Sequence, residues 1–161
     1  MGELNYFLGI QVRQSPKGIF IGQDKYITNM LKTYSMENAS TAKTPMSTSY
    51  KINLDLDGKY VDQKHYRGMI GSLLCLTASR PDIMFSTCLC IRFQANPKES
   101  HLMAVKRIFK YFKEKAYLGL FYPSKGNLYL QDFTHSDYGG GKLDRKSTFG
   151  SCQFLGDRLI S

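Results

Sequence analysis

The stretch Glu99-Ser100-His101-Leu102-Met103-Ala104-Val105-Lys106-Arg107-Ile108-Phe109-Lys110-Tyr111-Phe112-Lys113-Glu114-Lys115 carries a different chemistry on each side of a helix. Leu102, Val105, Ile108, Phe109 and Phe112 recur at three- and four-residue intervals, which predicts an amphipathic helix over 99–115 with that stripe facing a core. Lys106, Lys110 and Lys113 fall on another face, with Arg107 beside them. The apolar side needs other elements to bury against, and the other side ends in four cations.

Working outward, residues 66–79 return the same spacing through Met69, Ile70, Leu73, Leu74 and Leu76. Ser79-Arg80-Pro81-Asp82 then ends one helix and opens another, with Ser79 as the cap and Pro81 in the first turn. That next helix, 83–93, carries Met84, Phe85, Cys88, Leu89 and Ile91 and stops at Asn96-Pro97. Upstream, residues 37–60 hold many Ser, Thr, Asn and Asp and no sustained period, and read as a linker or long loop.

Strand signals flank this helical centre. Tyr6 to Arg13 and Ile19-Phe20-Ile21 surround the turn Ser15-Pro16-Lys17-Gly18, which predicts a hairpin. Asp24 is placed to cap a helix through Tyr26, Ile27, Met30, Leu31 and Tyr34. After Gly119 the chain becomes extended at Leu120-Phe121-Tyr122, Leu128-Tyr129-Leu130, 133–137 and 149–155, a β-meander with an unprotected edge. The fold class is α+β: an N-terminal hairpin, a central helical region and C-terminal strands.

The chain has 161 residues, 22 Lys and Arg against 13 Asp and Glu, and 42% hydrophobic residues. That is one ordinary domain's length with enough apolar content to order it, so a wholly disordered chain is excluded. The formal charge of +9 favours polyanionic partners. From Asp62 through Lys115 ten Lys and Arg stand against four Asp and Glu, so six of the nine excess charges lie in the helical region. No run approaches the roughly 18 apolar residues of a membrane span. The start of the chain lacks secretory-signal character, so a secreted protein is not expected. Cys75, Cys88, Cys90 and Cys152 show no zinc spacing and read as buried reduced thiols.

Several blocks together resemble the Pol polyprotein of copia-type LTR retrotransposons. They are Met1-Gly2-Glu3-Leu4-Asn5-Tyr6-Phe7-Leu8-Gly9-Ile10-Gln11-Val12, Tyr66-Arg67 with Ile70-Gly71-Ser72-Leu73-Leu74, and Thr77-Ala78-Ser79-Arg80-Pro81-Asp82-Ile83. Asn96-Pro97-Lys98-Glu99-Ser100-His101 and Asp144-Arg145-Lys146-Ser147-Thr148 complete the set, in family order over essentially the whole chain. The resemblance implies that residues 1–36 are the end of a reverse-transcriptase palm and the first thumb helix, with 37–60 a linker. It further implies a helical thumb and connection region over 61–117 and incomplete ribonuclease H-like strands over 118–161. Leu8, Gly9 and Ile10 then correspond to the hairpin that supports the primer terminus.

The same resemblance argues against catalysis. The family's paired polymerase aspartates lie upstream of this segment, and no Asp-Asp pair occurs in the chain. His135 stands where the first ribonuclease H aspartate is expected, with Asp137 as a remnant of the motif. One imidazole nitrogen does not replace a carboxylate that bridges two magnesium ions. The expectation is therefore a truncated, non-catalytic fragment with no metal site and no cofactor of its own, although the family uses magnesium.

The partners implied are an RNA/DNA hybrid or other nucleic acid and the missing parts of a Pol polyprotein, with no membrane. Lys106, Arg107, Lys110 and Lys113 are the candidate phosphate contacts; the alternative is a solvated helix face. Tyr6, Phe7, Tyr111 and Phe112 either stack on bases or fill the core. Gly139-Gly140-Gly141 reads as a turn, since no Lys-Ser/Thr signature follows it. A competing function is a stand-alone protein-interaction module that has lost nucleic-acid binding. Similar fragments occur in plant mitochondrial genomes, which leaves cytoplasm and mitochondrion both open.

Overall fold

The computed structural model describes residues 5–7, 9–47, 52–126, 129–137 and 148–159, with Asp137 and Thr148 as backbone only. The elements are β1 (Tyr6–Phe7), β2 (Ile10–Ser15), β3 (Gly18–Gly22), α1 (Asp24–Thr33), α2 (Gln63–Thr77), a 3-10 turn (Pro81–Ile83), α3 (Met84–Ile91), α4 (Glu99–Lys115), β4 (Leu120–Pro123), β5 (Leu130–Asp137), β6 (Thr148–Leu155) and β7 (Arg158–Leu159). The α+β class is as the sequence implies.

The core is helical. Leu73 and Leu76 of α2, Ile83, Val105, Ile108, Phe109 and Phe112 of α4, and Ile27 of α1 are fully enclosed. Four of the five stripe residues of α4 are thus interior, and Leu102 packs against them half-buried. Tyr66 closes the α2–α3 contact, its hydroxyl donating to the Cys90 carbonyl at 2.8 Å. Burial holds the Tyr66 phenol above its usual range.

The strands form two antiparallel sheets, in the orders β1-β2-β3-β4 and β5-β6-β7. The predicted hairpin is β2–β3, closed at Ser15↔Gly18. Gly18 adopts a φ of +148°, and a Cβ there would meet the Tyr122 carbonyl oxygen at 2.2 Å. Leu120-Phe121-Tyr122 belongs to this first sheet, with Ile19↔Tyr122 and Ile21↔Leu120 in register. The sequence grouped it with the later strands, because pairing over a hundred residues leaves no local signal. Tyr122 also joins the two sheets, its hydroxyl donating to the Leu159 carbonyl at 3.0 Å.

Three capping and packing expectations are corrected. Gln23, not Asp24, is the N-cap of α1; the Asp24 carboxylate instead pairs with Arg13 at 3.1 Å. Ser79 caps nothing: its hydroxyl donates to Gln23 Oε1 at 2.6 Å, and Arg80 precedes the 3-10 turn. Of the cysteines only Cys90 is buried, while Cys75 and Cys88 are exposed. Burial pushes the Cys90 thiol up to about 12. Tyr111 and Phe112 fill the core, but Tyr6 and Phe7 are exposed. The Gly139-Gly140-Gly141 and Asp144 to Ser147 motifs lie outside the described residues.

Candidate nucleic-acid interface

The stretch between α1 and α2 is a strap laid antiparallel along α4. Lys113 Nζ donates to the Ala39 carbonyl at 2.7 Å, and the Ala42 N–H donates to the Lys110 carbonyl at 3.3 Å. Arg107 Nη2 donates to Thr44 Oγ1 at 3.0 Å. Further along, His101 meets the Asn53 carbonyl at 2.7 Å and Lys98 Nζ donates to the Gly58 carbonyl at 2.9 Å. A polar, aperiodic segment follows this path, and α4 meets it with side-chain donors and the Lys110 carbonyl at intervals along one side. Its Ser, Thr and Asn content is that of a chain satisfying its backbone locally.

The four cations predicted as phosphate contacts do lie together on α4, but they are not equivalent. Lys106 and Lys113 are exposed, whereas Arg107 and Lys110 are half-buried under the strap. Arg107 and Lys113 each donate one hydrogen bond to the strap. Lys43 from the strap joins them at a 740 Å³ cavity whose described lining includes Arg107 and Lys110 and no Asp or Glu. From Lys106 to Lys113 the helix rises about 10 Å. This is a short positive ridge that can meet several phosphates without reading a base.

The charge excess of the helical region is smaller at the surface than its sequence suggests, because two of the ten cations are interior. Arg80 is 2% exposed, forks onto Asp82 at 2.9 and 2.7 Å, and donates to the Lys115 carbonyl at 2.7 Å. Its guanidinium lies 4.6 Å from the Phe112 ring centroid. Burial pushes the Asp82 carboxyl up, but the Arg80 hydrogen bonds, the Tyr111 hydroxyl and the Arg80 charge outweigh it, and the net shift is downward. Lys98 is 4% exposed, and its ammonium sits 3.4 Å from the Tyr60 ring centroid beside the Leu56 and Gly58 carbonyls.

Composition alone did not single out Arg80, Lys98 or His101. His101 is enclosed and stacked on Phe93 with centroids 4.0 Å apart. Its Nδ1 accepts the Lys98 backbone N–H at 2.9 Å, so the other ring nitrogen, Nε2, carries the proton given to Asn53. The ring takes the place of the Glu or Gln of a capping box. These residues sit in the blocks Ser79-Arg80-Pro81-Asp82 and Lys98-Glu99-Ser100-His101, whose spacing is the available signal for them. Both blocks act here as architecture.

The remaining predicted positions are dispersed. His135 is exposed on β5 opposite Gly150 in the ladder, and Asp137 closes that strand opposite Thr148. Gly9 makes the turn between β1 and β2 with a φ of +81°, and Ile10 pairs with Phe7. Leu8 lies outside the described residues. Among the described residues no three His, Cys, Asp or Glu side chains converge as metal ligands, and no helix is long and apolar enough to cross a membrane.

The chain belongs to the copia-type retrotransposon Pol family. It is 37% identical over 159 residues to the retrovirus-related Pol polyprotein from transposon RE1 of Arabidopsis thaliana, a match covering 99% of this chain and 11% of that protein. An uncharacterized mitochondrial protein of the same plant is 33% identical over 162 residues, covering all of this chain and 67% of the relative. The Pol polyprotein from transposon TNT 1-94 of Nicotiana tabacum is 27% identical over 159 residues, covering 93% of this chain and 12% of that protein. The chain therefore spans about a tenth of the Pol polyproteins it matches. No protein-family model matches it, and no solved structure does.

Proposed function

We propose that this Pol-derived segment is non-catalytic and binds nucleic acid without sequence preference through the cationic ridge of α4. The observation that carries the reading is the cluster of Lys43, Lys106, Arg107, Lys110 and Lys113 where the strap meets α4. Such an array favours the phosphate backbone over base edges. The absence of catalysis rests on His135 standing at the position where the family places a metal-bridging carboxylate. On this reading residues 6–22 and 24–33 derive from palm and thumb, α2 to α4 from thumb and connection, and β5 to β7 from the start of ribonuclease H. An RNA/DNA hybrid is the natural ligand class.

The test is fluorescence anisotropy with a labelled RNA/DNA hybrid, repeated with magnesium and gel analysis of the strands. Binding that weakens steeply with salt and leaves both strands intact supports the proposal. Salt-independent binding, no binding, or magnesium-dependent cleavage overturns it.

A second reading, a protein-interaction module, has its own observation. Phe85 is 73% exposed, and Leu74 and Met84 are also open on α2 and α3. A monomeric elution profile with no apolar-dye fluorescence counts against it.

A further inference from the structure

The cavity between the strap and α4 has a lining unlike that of a nucleic-acid groove. Its 740 Å³ falls within the volume range of small-molecule sites. The walls combine aliphatic and thioether groups, Ile52, Met46, Met103 and Ile108 among them, with Ser and Thr hydroxyls such as those of Ser86 and Ser100, and no aromatic ring is present in the described lining. Bases are commonly held on aromatic faces, so these walls offer a nucleobase no stacking platform. Lys43, Arg107 and Lys110 supply positive charge, and no carboxylate of the described lining opposes them.

Arg107 adds an independent observation. Its Nη2 is used by Thr44, but its Nε is shut off from solvent and has no hydrogen-bond partner. A buried N–H without an acceptor costs about 1–3 kcal/mol. A carboxylate accepts from a guanidinium with favourable geometry and charge. An anion held against the Arg107 guanidinium, with its body along Ile52, Met103 and Ile108, pairs the cation and fills the aliphatic space together.

We infer that this cavity binds an aliphatic carboxylate, its head at Arg107 and its chain between the strap and α4. Lys43 and Lys110 contribute long-range attraction, while Arg107 fixes orientation. The strap forms one wall, where exposed Thr44 is joined to α4 through the Arg107 hydrogen bond. The site shares Lys43, Arg107 and Lys110 with the proposed phosphate ridge, whereas Lys106 and Lys113 lie outside its described lining.

The probe is decanoate, titrated calorimetrically into the full chain beside decanol, acetate and decyltrimethylammonium. Saturable one-to-one binding of decanoate is expected, with each comparator at least about tenfold weaker. Ala104→Phe, which fills the cavity from α4, abolishes binding, and Arg107→Gln weakens it about tenfold while far-UV circular dichroism is retained. Ala104→Phe alters no cation of the ridge and is expected to leave salt-dependent nucleic-acid binding intact, so failure of one reading is separable from failure of the other. Equal binding of decanol and decanoate, non-saturable uptake, or full affinity in a folded Ala104→Phe or Arg107→Gln protein overturns the inference.

Discussion

Arg107 Nη2 donates to Thr44 Oγ1 at 3.0 Å across 63 residues of chain, tying the strap to the helix whose cations define the candidate interface. The same side chains thus hold the fold and present charge. Lys113 repeats the pattern at the Ala39 carbonyl. An ammonium that gives one proton to a carbonyl retains two others and its full charge, so holding the strap does not remove it from the ridge.

Arg80 is the interior cation with a carboxylate partner; its loss empties an enclosed site between Lys115 and Phe112 and leaves Asp82, whose side chain is 36% exposed, with the Tyr111 hydroxyl. Arg80→Ala is expected to cost about 3 kcal/mol in urea unfolding. Arg80→Lys recovers little of it, because an ammonium neither forks onto a carboxylate nor stacks as a guanidinium does.

The depressed Asp82 carboxyl sets a direction for pH. Its contribution is fully present above the ordinary aspartate range and is lost as pH falls through the folded-state value. Arg80→Ala is therefore more costly at neutral pH than in acid. The gap between the unfolding free energies of the two proteins is expected to narrow along an acid titration, leaving the part that comes from the Lys115 carbonyl and the Phe112 ring.

His101 uses both ring nitrogens on backbone groups. Its Nε2–H tautomer is expected to show directly in nitrogen-15 NMR of the imidazole. His101→Leu leaves the Lys98 N–H and Asn53 carbonyl unpaired at a cost of about 2–4 kcal/mol, read by chemical denaturation.

Thiol accessibility separates the cysteines. Cys75 and Cys88 are exposed and are expected to react quickly with a thiol reagent in the folded protein. Cys90, buried and with its thiol held near 12, reacts only after unfolding. Peptide mapping after timed labelling checks the order.

The helices were legible because Val105, Ile108 and Phe112 repeat at a spacing that only a helix turns into a face. The hairpin was legible because Pro16 and Gly18 sit between β-rich runs. Long-range partners were not. Nothing near Leu120 announces a strand beside Ile21, and nothing near Thr44 announces Arg107, because such contacts join segments whose local chemistry is ordinary. Asp24 and Ser79 are good caps in the abstract, and the structure gives them to Arg13 and Gln23 instead. Lys106 to Lys113 could be grouped from spacing, but the strap that half-buries Arg107 and Lys110 could not.

The central claim is that α4 meets the nucleic-acid backbone, and the salt dependence of binding tests it most directly. For a labelled RNA/DNA hybrid, affinity should fall roughly ten- to hundredfold between about 50 and 200 mM salt, as for a protein neutralising a few phosphates. Lys106→Glu combined with Lys110→Glu should weaken binding and flatten the plot of log affinity against log salt by about one unit or more. A folded double variant with the parent's affinity and slope contradicts the account.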